Sequence, residues 1–207
     1  MITDSDLTRT GLAAQGTGRV LVLACGALAY EILAIRAANG LTHLDLHCLP
    51  AILHNHPRRI APAVEAEVMA RQEDYDSIFV AYADCGTGGQ LQATCDRLGV
   101  EMIAGPHCYA FFDGLDRFAA RDEIDAFYLT DFLARQFDAF VTKPLGLDRH
   151  PDLRDMYFQH YSKLVYLSQT EDAALMTKAR AAADALGLKF EHRPTGYGDL
   201  EKALTSI

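Results

Sequence analysis

Hydrophobic positions along this chain fall into two alternating patterns. A short apolar run rich in β-branched residues at 19–24 (RVLVLA) predicts a buried strand, and 44–48 and 77–83 (SIFVAYA) predict two more. Between them apolar residues return at helical spacing. Leu28, Ile32, Leu33 and Ile35 predict a helix over 27–39 that Gly40 closes, and Ile60, Val64, Val68 and Met69 predict another over 58–73. The stretch 49–57 (LPAILHNHP) reads as a loop or single turn. After strand 77–83 comes a glycine-rich turn at 87–89, a helix over 91–98 that stops at Gly99, and a strand over 100–104. Helices are expected at about 109–120, 130–140, 151–160 and 171–186, with strands at 163–168 and 188–192. Strands that alternate with helices imply parallel pairing through right-handed crossovers. The expected fold is α/β, with Rossmann-like strand–helix–strand units in a parallel sheet or sheets and a ligand crevice at the carboxyl edge.

The pattern also repeats. Cys25-Gly26 is followed by twenty residues and then His47-Cys48, and Cys85-Gly86 by twenty residues and then His107-Cys108. Each dipeptide closes an expected strand. The duplicated units span about 19–48 and 77–108, and 163–192 has the same layout without cysteine, as a degenerate third copy. With no linker in view, the whole of 1–207 reads as a single domain.

Composition narrows the function classes. Half of the 207 residues are hydrophobic, so a sizeable core is expected, and disorder is not. A net charge of −9 without a basic stripe argues against nucleic acid as a partner. The opening residues lack a secretory pattern, and no apolar run approaches the roughly 20 residues a bilayer requires. The expectation is a cytoplasmic protein that takes a small-molecule substrate and binds no membrane. Five cysteines in a reducing compartment suggest metal binding, chemistry or burial rather than a disulfide framework.

The strand-end cysteines carry the candidate chemistry. Cys25, Cys85 and Cys108, with His107 as a fourth donor, are the candidate metal ligands. Gly26 and Gly86 would let a cofactor approach the backbone closely. A thiol near a following helix N-terminus is biased towards thiolate, the form that binds metal or attacks substrate. His54, in a loop that overhangs the same edge, is the candidate acid/base group. His47, Cys48 and His56 are left open, and Cys95, in mid-helix, reads as core. Three thiolates with one histidine or an open position suit Zn2+. They also suit an iron–sulfur cluster with an exchangeable iron. Two strand-end cysteines in duplicated halves equally suit a metal-free acid/base enzyme of the aspartate/glutamate racemase type.

Residues 82–86 (YADCG), Cys25-Gly26 after an apolar strand, Leu53-His54 with Pro57, and 105–114 (GPHCYAFFDG) resemble the domain of unknown function 1638 family. The similarity extends through 128–130, 156–161 (MYFQHY) and 165–167. Family members carry an aspartate between the histidine and the cysteine that adjoin here as His107-Cys108. The resemblance implies an association with corrinoid-dependent methyltransferase systems for methylated amines and betaines. It thus implies a one-carbon role, either as a metal-dependent enzyme or as a non-enzymatic partner of a corrinoid protein or methyltransferase.

Overall fold

The computed structural model describes all residues except Met1, Gln15 and Thr17. The chain divides into two compact units, residues 1–111 with 197–207 and residues 112–196. Each has its own parallel sheet. The fold is α/β with Rossmann-like strand order, as the alternating pattern predicts. The first two repeats share the sheet of the first unit, and the third lies in the sheet of the second.

In the first unit the strands β1 (Val20–Cys25), β2 (Leu44–Leu49), β3 (Ser77–Ala81) and β4 (Glu101–Met102) stand in the order β2-β1-β3-β4. β1 is central and buried on both faces, with Leu21, Val22, Leu23 and Ala24 fully inaccessible, which is why it reads as an unbroken apolar run. The helices are α1 (Asp4–Arg9), α2 (Ala29–Ala38), α3 (Ile60–Arg71), α4 (Gln90–Leu98), α5 (Cys108–Asp113), which begins in this unit, and a later α10 (Gly198–Thr205). α2 packs with α10 and α3 with α4, as right-handed crossovers to opposite sides of β1 require. The chain leaves β1 towards β2 on one side and returns to β3 on the other, so strand order reverses between β1 and β3. In open parallel sheets that reversal opens a crevice beyond the carboxyl ends, where ligands bind.

The second unit contains α6 (Leu115–Arg121), β5 (Ala126–Leu129), α7 (Asp131–Arg135), α8 (Leu153–Phe158), β6 (Lys163–Ser168), α9 (Ala173–Leu186) and β7 (Lys189–Pro194), with strand order β5-β6-β7. Leu129, Leu164, Tyr166, Ala179 and Leu186 centre its core. Several expected elements differ from those observed. The helix expected at 109–120 breaks at Gly114, whose φ of +87° only glycine adopts readily. The helix expected at 130–140 ends at Arg135 and continues as a single wide turn, Asp138–Thr142. β5 was not expected: four residues beside helical stretches are too few to show a period. The strand expected at 100–104 shrinks to two residues at the sheet edge. Among the described residues no helix is long and apolar enough to cross a membrane.

Candidate functional site

The site forms where β1 and β3 run out. Cys25 is the last residue of β1. Beyond β3 the backbone continues alongside residues 105–106, with Asp84 N–H donating to Gly105 O (2.9 Å) and Cys85 N–H to Pro106 O (3.0 Å). These bonds bring Cys85 beside Cys108, the first residue of α5, and the two sulfurs stand 3.4 Å apart. Cys85 has φ +47° and Gly86 φ +81°. A left-handed cysteine is strained, and such strain persists where the surroundings enforce it. Here Asp84 supplies the enforcement. Its carboxylate accepts from Thr87 Oγ1 (2.7 Å), Gly88 N–H (3.1 Å) and Gly89 N–H (2.7 Å), which ties the turn and holds Asp84 below its ordinary pKa.

The surroundings separate the thiols electrically. The hydrogen bond from Cys108 outweighs burial at Cys85 and, with a further hydrogen bond from His54, pulls its pKa down to about 5. These donors favour the thiolate form of Cys85. Cys108, which gives that hydrogen bond and lies beside the negative sulfur, is pushed up and stays protonated. Burial pushes Cys25 up to about 12, with the Cys85 charge adding to it. Cys48 is raised in the same way by burial.

The sequence-expected residues distribute unequally. His54 lies in the short 3-10 turn Ala51–Asn55 after β2, and its imidazole reaches Cys85. His56, two residues on, is exposed, as His54 is, but is not among the groups that lower the Cys85 pKa. His107 is half-buried and stacks on Tyr109 at 4.9 Å between ring centroids. Burial depresses its pKa, although the Cys85 and Asp84 charges oppose this. His47 and Cys48 do not end β2. They lie within it, and alternation sends them to opposite faces: His47 Nε2 meets Glu67 at 3.2 Å, while Cys48 is buried near Cys25. A Cβ on Gly86 would meet Pro57 at 3.5 Å, an ordinary contact, so its left-handed backbone rather than crowding calls for glycine. A Cβ on Gly26 would lie 2.4 Å from Leu7 O, so the close approach there is that of the chain's own backbone. Cys95 is buried in α4 with its sulfur 3.9 Å from Met102 Sδ.

Tyr82, just past β3, was not among the candidates, because it closes an apolar run and reads as core. It is 1% exposed, and its hydroxyl sits near Cys25, Cys48 and Cys108, with only the Cys25 thiol as a weak partner. A polar tip at the carboxyl end of a buried strand was the available signal. Among the described residues no three His, Cys, Asp or Glu side chains are gathered closely enough to hold a metal ion. The Cys85–Cys108 pair offers two soft donors, with Cys25 and His54 nearest to it.

The family model described as a protein of unknown function (DUF1638) matches residues 48–204, about three quarters of the chain. The chain belongs to this family. This DUF1638 protein carries Cys85, Cys108, His54 and Tyr82 inside the matched stretch, and Cys25 ahead of it. No curated protein matches the DUF1638 chain. It is similar to a solved structure, ornithine carbamoyltransferase from Pyrococcus furiosus, at 12% identity over 90% of this chain and 55% of that one, with a TM-score of 0.24. Likeness that distant bears on neither fold nor activity.

Proposed function

We propose that the protein is a cytoplasmic enzyme of one-carbon metabolism whose working group is the Cys85 thiolate, held by Cys108 and served by His54 as proton carrier. The one-carbon role is what the family resemblance implies, and the thiolate reading is carried by the 3.4 Å sulfur pair at the point where strand order reverses, with an imidazole on the same sulfur. Three physical features support it. A thiolate is the most nucleophilic ordinary side chain, so it can accept an electrophilic one-carbon unit from a small molecule. The neighbouring thiol and imidazole donate to it and can move protons to and from a bound substrate. A reducing compartment such as the cytoplasm would keep such a thiolate available.

A second reading, zinc as resident cofactor, is favoured by the same separation. Two thiolates at about 2.3 Å from one tetrahedral ion stand about 3.8 Å apart. A cluster would place the sulfurs on separate irons, further from one another. Cys85 and Cys108 would hold the ion, with Cys25 and His54 the nearest further donors. Bound there, zinc would supply Lewis-acid activation of a thiol or water.

The test is alkylation by iodoacetamide from about pH 4 to about pH 9, with peptide mapping. Cys85 should label first, with a half-maximal rate near pH 5. Labelling of Cys85 only at the alkaline pH of an ordinary thiol would refute the thiolate reading. Elemental analysis of anaerobically purified protein decides the second reading: one zinc per chain supports it, and none rejects it.

A further inference from the structure

We infer that Cys85 and Cys108 are a peroxide-responsive modification site: a hydroperoxide oxidises Cys85, Cys108 then closes a disulfide onto it, and the site stays inactive until a dithiol reopens it. The inference rests on the reading that this site admits a small polar molecule to Cys85.

Geometry carries it. The sulfurs at 3.4 Å need to close by only about 1.4 Å to reach a disulfide bond length. The two segments are already laid side by side by the hydrogen bonds from Asp84 and Cys85 to Gly105 and Pro106. Neither cysteine is locked inside a long element. Cys85 lies in a turn followed by Gly86, and Cys108 opens a six-residue helix. The other cysteines lack this freedom: Cys25 and Cys48 sit in paired strands and Cys95 in mid-helix. A reacting cysteine beside a resolving one is the arrangement that stops oxidation at a reversible stage.

The chemistry balances. The Cys85 sulfur attacks one oxygen of the hydroperoxide and the O–O bond breaks. The sulfur is oxidised to sulfenic acid, and the departing oxygen takes a proton from His54 and leaves as water or an alcohol. The Cys108 sulfur then attacks the Cys85 sulfur, and the S–O bond breaks. The Cys108 proton leaves with the hydroxyl as a second water. An external dithiol reverses the last bond, becoming a disulfide itself as both cysteines return to thiols.

The experiment treats the intact protein with a small molar excess of hydrogen peroxide. Free thiols are then counted in denaturant, and tryptic peptides are mapped without reduction. Two of the five thiols should disappear and return with dithiothreitol. Trypsin places Cys85 and Cys95 on peptide 72–97 and Cys108 on peptide 98–117, so a linked pair should appear whose fragmentation puts the bond on Cys85 rather than Cys95. With Cys108→Ser, Cys85 should instead gain two oxygens that dithiothreitol does not remove. Should that variant not fold, the wild-type map decides. Five surviving thiols, or a bond through Cys25, Cys48 or Cys95, would overturn the inference. Iodoacetamide labelling before peroxide separates the failures. Rapid Cys85 labelling without a disulfide sinks the switch alone, and a Cys85 that labels only as an ordinary thiol sinks the functional reading.

Discussion

Cys25, the last residue of β1, and Cys85, in the turn beyond β3, carry the same side chain, yet their surroundings push their pKa values in opposite directions. Burial dominates at Cys25, whereas donors dominate at Cys85. His54 is one of those donors, and a hydrogen bond to the charged form lowers a pKa. His54→Phe should therefore move the Cys85 alkylation midpoint upward and cut turnover by about 10²–10⁴-fold, the usual worth of a proton carrier. An unchanged midpoint in the pH profile would remove His54 from the site. Tyr82 invites the opposite kind of test. A buried hydroxyl with only a thiol beside it is poorly satisfied and costs folding free energy, so Tyr82→Phe should raise stability by up to about 1 kcal/mol. If the hydroxyl serves a bound ligand, the same variant should lose activity. Denaturant melts paired with assays read both effects, and a gain in stability at full activity would return Tyr82 to the core.

At the scale of elements, what was legible in the sequence follows from how each element is buried. β1 and β3 are covered on both faces, so their apolar runs were plain, whereas β2 carries Asp45 and His47 among its apolar residues; the equal spacing of the Cys-Gly and His-Cys pairs marked two copies of one unit. β5 and β4 are too short to carry a period. The capped α1 and the late α10 escaped because polar residues dominate their exposed faces. In the site, the repeat located Cys25, Cys85 and Cys108, but it could not show that β2 runs one residue past Cys48, which confines His47 and Cys48 to the strand. Nor could it separate two uses of glycine. Gly86 permits a left-handed turn, whereas Gly26 permits the start of α2 to pack on α1 and the end of β2. Gly26→Ala would place a methyl against backbone that cannot yield, so it should destabilise the fold by about 1–3 kcal/mol. The loss should appear in thermal melts without any ligand, and an unchanged melting temperature would contradict this packing role.

At the scale of the whole molecule, the two units place their charge differently, and acid should tell them apart. The sheet of the first unit buries apolar strands, and one acid-sensitive group buried in it is His47. Burial keeps His47 neutral, with a depressed pKa, so its contribution is present above about pH 6.5 and fades as pH falls below that. Glu67 at 3.2 Å receives the new charge and limits the cost. The second unit depends instead on a half-buried ionic network. The Glu123 carboxylate accepts two bonds from Arg193 (2.8 Å each), one from Tyr128 (2.8 Å) and one from Lys163 (2.5 Å). The Arg193 bond is the largest cause of a pKa held far below the usual carboxylate range. A depressed carboxylate stabilises the fold fully above its unfolded pKa, about 4.3, and that stability drains away as pH falls towards the folded value. Protonating Glu123 also leaves Arg193 and Lys163 poorly paired, so the expected loss is about 1–3 kcal/mol. Hydrogen exchange at about pH 3 should thus find β5, β6 and β7 losing protection before β1 and β3, after correction for the intrinsic pH dependence of exchange. Glu123→Gln should reproduce that loss at neutral pH and flatten the acid response of the second unit. Equal loss of protection in both sheets, in wild type and variant alike, would mean that the network does not govern acid stability.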